Sequence, residues 1–168
     1  MNRRKFLRTG LGATAAVASR SNGSVTSAQA RPGDGPPTSG VLSSDPSVRA
    51  AAAQDFGRLI HKQPRAVFRP ASSADITSLM RWAKSQGLKV AARGQGHSIY
   101  GRALTGDGIV IDMNTISAIS RVQPDRIVVE AGATWASLLG ATLAQGLTPP
   151  VLTNYLGLSI GGTIAVTL

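Results

Sequence analysis

The sequence of 168 residues contains no cysteine. This absence excludes disulfides, thiol catalysis and cysteine-ligated metal sites, so a folded part must depend on its core. Histidine is scarce as well, because His61 and His97 are the only two. They are far apart in the sequence and lack metal-ligand spacing, which predicts that the protein has no metal site.

Acidic and aromatic residues are also few, with eight Asp and Glu against 18 Lys and Arg, and seven Phe, Trp and Tyr. Five of the basic residues and none of the acidic ones precede residue 31, so 13 basic and eight acidic residues leave the remainder at +5. A nucleic-acid platform needs aromatic side chains on a basic face. We therefore predict no nucleic-acid partner and expect a modest attraction for anionic ligands.

Residues 1–30 have the pattern of a Tat export signal. Arg3 and Arg4 form a twin-arginine pair, a weakly apolar stretch follows, and Ala28-Gln29-Ala30 is a small-residue cleavage site. The apolar stretch from Leu11 to Ala18 is far shorter than the roughly 20 residues that span a bilayer. We expect the Tat translocase as a partner, a periplasmic or extracellular location and no stable membrane anchor. The alternative is the basic amphipathic start of a cytosolic protein.

Residues 31–45 are rich in Pro, Gly, Ser and Asp and have little to bury, which predicts a flexible linker. Folding is expected to begin after this linker, in a helix that starts at Pro46 with Asp45 as its N-cap. Apolar residues recur at helical spacing up to Ile60. His61 is interpreted as a solvated residue at the end of that helix.

Alternating strands and helices are predicted for the rest of the chain. Apolar runs predict strands at Arg65–Pro70, Leu88–Ala92, Gly108–Met113 and Arg126–Glu130. One helix is predicted after Ser72 and Ser73, ending at Gly87, and another after Thr134, ending at Gly146. This order predicts an α+β fold for residues 46–168, without an internal repeat.

Two glycine-rich segments carry the candidate chemistry. The first is Arg93-Gly94-Gln95-Gly96-His97-Ser98, between two predicted strands. Glycines let its main chain come close to a ligand, so that successive amides converge on a pyrophosphate beside a nucleophilic imidazole. The second is Leu152-Thr153-Asn154-Tyr155-Leu156-Gly157-Leu158-Ser159-Ile160-Gly161-Gly162-Thr163. For a Gly-x-Gly taken alone, a plain turn remains the alternative.

Together these segments resemble the FAD-binding domain of the vanillyl-alcohol oxidase and p-cresol methylhydroxylase (PCMH) family, and within it the cytokinin dehydrogenase group. The family segments usually read Arg-Gly-x-Gly-His-Ser, and roughly Trp-Thr-Asp-Tyr-Leu followed by Thr-Val-Gly-Gly-Thr-Leu-Ser. The resemblance covers about residues 45–168. It implies the first part of a PCMH-type FAD-binding domain, FAD as cofactor, a small-molecule substrate, and hydride transfer from a C–H next to nitrogen or oxygen.

The resemblance also implies a set of cofactor-binding residues. It places His97 at the family's covalent attachment to the flavin 8-methyl group; the alternatives are noncovalent FAD binding and a hydrogen bond to its own loop. The resemblance assigns no catalytic residue with certainty. Asn154 stands where the family has a proton-accepting aspartate, and its amide does not act as a base near neutral pH. Arg102 and Ala165 also depart from the family's glutamine and serine. The implied cofactor-binding residues are Ala92, Gly94, Gln95, Gly96, His97, Ser98, Arg102, Asn154, Ser159, Gly161, Gly162 and Thr163.

The C-terminus departs most from the family, whose members continue for several hundred residues. This chain stops at Leu168, in what its apolar pattern indicates is a strand entering the core. We therefore expect either a truncated reading frame, which we favour, or a chain that a second polypeptide completes. In both cases the chain by itself is expected to be inactive. The alternative function is a noncatalytic exported module that binds a nucleotide or another anion.

Overall fold

The computed structural model describes residues 35–167, so the predicted export signal lies outside the described residues. In chain order the elements are β1 (Val41–Ser43), α1 (Pro46–Ala51), β2 (Ala66–Arg69), α2 (Ser73–Ser85), β3 (Val90–Arg93), β4 (Ile109–Asp112), a 3₁₀ helix (Met113–Thr115), α3 (Trp135–Leu143) and α4 (Ile160–Thr167). The sheet order is β1-β2-β4-β3. Strand β1 is antiparallel to β2, whereas β2, β4 and β3 are parallel. This mixed architecture confirms the predicted α+β class.

The two central strands, β2 and β4, are apolar on both faces. Phe68 and Ile111 pack with Leu79 of α2 in one buried cluster, while Val67 and Val110 pack in a second cluster. Because successive strand residues point to opposite faces, the two clusters lie on opposite sides of the sheet. Continuous apolar runs of this kind are typical of parallel strands covered on both faces.

Helix α2 begins with a capping box. The Ser72 hydroxyl accepts from the Asp75 amide at 3.3 Å, and the Asp75 carboxylate accepts from the Ser72 amide at 3.0 Å. The side chain of Thr38 and the amides of Ala71 and Ser39 also bond to Asp75 and, against the cost of burial, hold its pKa at about 2. The residues before β1 are therefore tied to the start of α2.

The prediction of a flexible linker is wrong at residues 41–43, which form β1. This strand pairs with β2 through Val41 opposite Arg69 and Leu42 opposite Phe68, and Leu42 also packs against the core. A three-residue strand gains its order from main-chain pairing to a neighbour. A composition poor in apolar residues therefore did not reveal it.

The predicted N-cap at Asp45 is confirmed, since its carboxylate accepts from the Ser47 amide at 2.8 Å. The predicted length of α1 is wrong, because the helix ends at Ala51. Farther on, the Asp55 carboxylate accepts from the amides of Leu59 and Ile60 at 2.9 and 3.1 Å. Such local bonds compete with the hydrogen bonds of a helix.

His61 therefore does not end a helix. It is exposed and forms an isolated antiparallel bridge with Gln54.

Two strand predictions in the second half of the chain are wrong. Residues 126–130 form no strand; Val129 forms an isolated bridge with Ile119, flanked by main-chain bonds of Val128 to Ser120 and of Glu130 to Ala118. The apolar C-terminal run forms helix α4 instead of a strand. A short apolar run by itself does not distinguish the two. Within residues 35–167 no helix has the length and hydropathy that crossing a membrane requires.

Candidate cofactor-binding site

The carboxyl ends of β2, β3 and β4 meet at one edge of the sheet, because these strands are parallel. Ligands of open parallel sheets commonly bind at this edge. The strands end there with Arg69, Arg93 and Asp112, and Arg69 Nε lies 3.5 Å from an Asp112 carboxylate oxygen. Residues 94–98, named the glycine loop below, leave the sheet at the same edge.

The glycine loop is built for close approach of another group. Gly96 has a φ of +78°, a conformation that favours glycine. A Cβ on Gly94 would collide with Ser159 Oγ, so the two glycine-rich segments are neighbours. Within the described residues, none of the five amides from 94 to 98 donates a hydrogen bond. Successive free amides in a turn are the donor set of an anion site.

Asn114, which sequence reasoning missed, fixes the glycine loop from the neighbouring strand end. Its Oδ1 accepts from Gln95 Nε2 at 2.9 Å, and its Nδ2 donates to the Gly94 carbonyl at 3.2 Å. Both bonds leave the loop amides free. An asparagine that follows the end of β4 was the available signal, because parallel strand ends meet at one edge.

Arg93 places a positive charge beside the loop. A Cβ on Gly96 would lie 2.5 Å from an Arg93 guanidinium nitrogen, and the same side chain donates to the Gln54 carbonyl at 2.9 Å. Burial lowers the pKa of Arg93, while the Asp112 carboxylate opposes that effect. Arginine remains protonated in proteins, so the site keeps a cation.

His97 is held among aromatic side chains. Its ring centroid lies 4.7 Å from that of Phe56, with an interplanar angle of 25°, and 5.0 Å from that of Tyr155, at 46°. The His97 Nδ1 atom is buried and has no hydrogen-bond partner in the described part of the chain. Tyr155 belongs to the second glycine-rich segment, so both segments meet at the imidazole.

The second segment is mostly engaged within the fold. The amides of Ile160 and Gly161 donate to the carbonyls of Ala133 and Ala131 at 2.8 and 2.9 Å. The Thr163 hydroxyl accepts from Trp135 Nε1 at 3.0 Å and donates to the Ser159 carbonyl at 3.1 Å. Gly161 and Thr163 therefore have clear structural roles.

The other implied site residues are distributed around this centre. Ser159 is buried and lies close to both Gly94 and Gly162. Ala92, Arg102 and Asn154 are exposed. Asn154 is the sequence neighbour of Tyr155, whose ring contacts the imidazole. The assignment of these residues to cofactor binding stays a prediction.

A metal site has no support in residues 35–167, where no group of three His, Asp or Glu residues is arranged to hold a metal ion.

Comparison with known proteins identifies the class. A family model described as an FAD binding domain matches residues 64–167. An uncharacterized oxidoreductase, ORF5 in the fasciation locus of Rhodococcoides fascians, is 38% identical over 128 residues, which are 76% of this chain and 29% of that protein. Cytokinin dehydrogenase 2 of Arabidopsis thaliana is 37% identical over 128 residues, covering 74% of this chain and 26% of that enzyme.

The fold, the glycine loop and these matches together define an FAD-binding domain. The chain belongs to the PCMH-type family of FAD-binding proteins, as its two glycine-rich segments predicted, and FAD is the cofactor. It spans less than a third of the length of the curated relatives described above.

Proposed function

We propose that this chain supplies the FAD-binding part of an exported flavin-dependent oxidoreductase. The observation that carries the proposal is the row of five glycine-loop amides without a partner among the described residues, next to an imidazole at the same sheet edge. Bound FAD would supply the redox chemistry by accepting a hydride from a substrate C–H next to nitrogen or oxygen. The oxidoreductase relatives support this reaction class.

The chain's own residues account for cofactor binding in two ways. The amides of 94–98 would donate to the FAD pyrophosphate, for which unpartnered main-chain donors are suited. The Arg93 guanidinium beside Gly96 adds a positive charge that favours the same anion. No protein group has to be displaced from these amides, because none occupies them among the described residues.

His97 is the residue that we propose to attach FAD covalently. A nitrogen of its imidazole would bond to the flavin 8-methyl carbon, with loss of one C–H hydrogen and the imidazole N–H hydrogen. The two electrons released would reduce dioxygen to hydrogen peroxide. The resemblance to the family and the position of His97 at the end of the loop support this role. Attachment would prevent loss of the cofactor after export.

Asn154 supplies no base to this site, because a carboxamide does not accept a proton near neutral pH. Any proton acceptor at this site would therefore have to be a residue other than Asn154.

The attachment test uses a chimera in which residues 46–168 replace the matching part of the R. fascians oxidoreductase. We expect the chimera to stay yellow after acid precipitation, and His97→Ala to release all of its FAD while still binding it noncovalently. His61→Ala is the matched control, because His61 is the other histidine and is exposed. Complete release from the unmodified chimera would disprove covalent attachment.

The export proposal rests on Arg3-Arg4 and Ala28-Gln29-Ala30. Replacing both arginines by lysine should leave the full chain uncleaved in the cytoplasm, whereas the unmodified chain is trimmed after Ala30. Arg8→Lys removes an arginine outside the pair and serves as the control. Unchanged export of the double variant would refute a Tat signal.

A further inference from the structure

Among the described residues, the buried Nδ1 atom of His97 lacks a hydrogen bond that could orient the ring. In most such sites one ring nitrogen is used for chemistry, while a hydrogen bond on the other nitrogen fixes the ring. In His97 the Nδ1 atom is buried and has no partner among the described residues. Among these residues no hydrogen bond at this nitrogen orients the ring, so packing is the interaction left to orient the imidazole from this side.

The two aromatic neighbours provide that interaction. The centroid distances of 4.7 Å to Phe56 and 5.0 Å to Tyr155 lie within the range of favourable ring pairs. Contacts from two rings restrict rotation of the imidazole about its side-chain bonds. The rings come from separate parts of the chain, one before β2 and one before α4.

Phe56 is poorly explained as a core residue, since 61% of its surface is exposed. Its main chain is nevertheless fixed to the glycine loop, because the Phe56 amide donates to the Ser98 carbonyl at 3.1 Å. Two residues before Phe56, the Gln54 carbonyl accepts a hydrogen bond from the Arg93 side chain at 2.9 Å. The main chain therefore holds this ring against His97.

Asp55 gives the same segment its shape. Its buried carboxylate accepts from the amides of Leu59 and Ile60. The Ile60 amide is the main cause of the lowered pKa of Asp55, against the cost of its burial. The segment 54–60 is thus tied to itself through Asp55 and to the glycine loop through the Phe56 amide.

We propose that Phe56 is a positioning residue which, together with Tyr155, orients the His97 imidazole for attachment to FAD. This inference rests on the covalent link proposed above. Phe56 acts through His97 and takes no part in the bond-forming step. The packing of its ring, and not its hydrophobicity alone, is the property that matters.

The deciding experiment follows the imidazole C–H signals of the full 168-residue chain by NMR, without FAD. Only His61 and His97 contribute such signals, so His97→Ala assigns them. Phe56→Leu should weaken the nuclear Overhauser contacts between the His97 imidazole and the Tyr155 ring, which loss of the Phe56 ring current alone would not do, and leave the His61 signals unchanged. Phe56→Tyr should largely preserve these contacts. Leu59→Ala, in the same segment and 76% exposed, is the matched control.

The same variants are then compared in the chimera. Phe56→Leu should slow the appearance of acid-stable FAD by about tenfold or more, because loss of orientation costs rate, with little change in noncovalent FAD affinity. Unchanged contacts between His97 and Tyr155, or attachment at the unmodified rate, would overturn the inference. Absence of acid-stable FAD from the unmodified chimera would instead overturn the covalent link itself, and the inference with it.

Discussion

Both glycine-rich segments contain more than one glycine, but they differ in what their main chains do. In the glycine loop the amides of residues 94–98 are free of protein partners within the described range. In the second segment the amides of Ile160 and Gly161 are bound to main-chain carbonyls, and a Cβ on Gly161 would lie 2.6 Å from the Cβ of Ala131. The glycines of both segments lie against other parts of the protein, but only the first segment keeps its amides available to a ligand among the described residues.

This difference shows what a glycine pattern can and cannot indicate. Lack of a side chain permits close approach, but the approaching group is either a ligand or another part of the protein. Only the partners of the amides distinguish the two cases. The same substitution at the two sites should therefore affect different properties, binding in the first and stability in the second.

The largest effect is expected from Gly94→Ala. Its Cβ would collide with Ser159 Oγ and displace the loop, and each lost hydrogen bond to a charged group costs about 1.5–3 kcal/mol. FAD affinity should therefore fall by about tenfold or more, measured by titration of flavin fluorescence in the full chain. The content of secondary structure should be unchanged by circular dichroism.

Removing the obstructing hydroxyl sharpens this test. The double variant Gly94→Ala/Ser159→Ala should recover part of the lost affinity, compared with Ser159→Ala as its baseline. Unaltered FAD binding by Gly94→Ala would show that the glycine loop does not bind the FAD pyrophosphate.

A smaller effect, on stability, is expected from Gly161→Ala. The new Cβ would meet Ala131 at 2.6 Å from its Cβ and 2.9 Å from its carbonyl oxygen. Overpacking of this kind should lower the free energy of unfolding by about 1–3 kcal/mol, measured by urea denaturation.

Gly140→Ala is the matched control, because a Cβ on this glycine of α3 meets nothing within 4 Å. Removing a glycine from a helix should raise stability by about 0.5–1 kcal/mol. Equal effects of the two substitutions would remove the packing role that we assign to Gly161.

Local signals in the sequence were enough for much of the fold. The N-caps at Asp45, Ser72 and Thr134 are confirmed, as are strands close to the predicted positions of β2, β3 and β4. These features depend on neighbouring residues, through periodicity and side-chain capping. Strand β1 depends on pairing with a strand that is distant in sequence, and the end of α1 depends on the Asp55 carboxylate. Apolar periodicity predicted neither feature.

The site was predictable in part for the same reason. The glycine loop is local and was found from its motif, whereas its supports come from elsewhere in the chain. Asn114 reaches it from the end of β4, and Phe56 reaches it from a segment that looked helical. Contacts between segments far apart in sequence have no periodic signature, so both residues were missed.

The smallest effect is expected from acidification. Low pH should weaken the hydrogen bonds beside the glycine loop before those of the second segment. In the folded chain the pKa of Asp55 lies below its ordinary value of 3.8, and residues 157–163 contain no carboxylate. A lowered pKa contributes stability that is complete above the ordinary value and is lost as the pH falls through the folded-state pKa. Between a pH above 3.8 and a pH well below it, hydrogen-exchange protection of the Leu59 and Ile60 amides should therefore fall, once corrected for intrinsic exchange. Protection of the Gly161 amide, which donates to a carbonyl, should change less over this range.

Asp55→Asn should remove this difference in protection by making the 54–60 segment equally weak at both pH values. Parallel loss of protection at all three amides in the unmodified chain would mean that acid unfolds the domain as one unit, and that Asp55 has no separate role beside the loop.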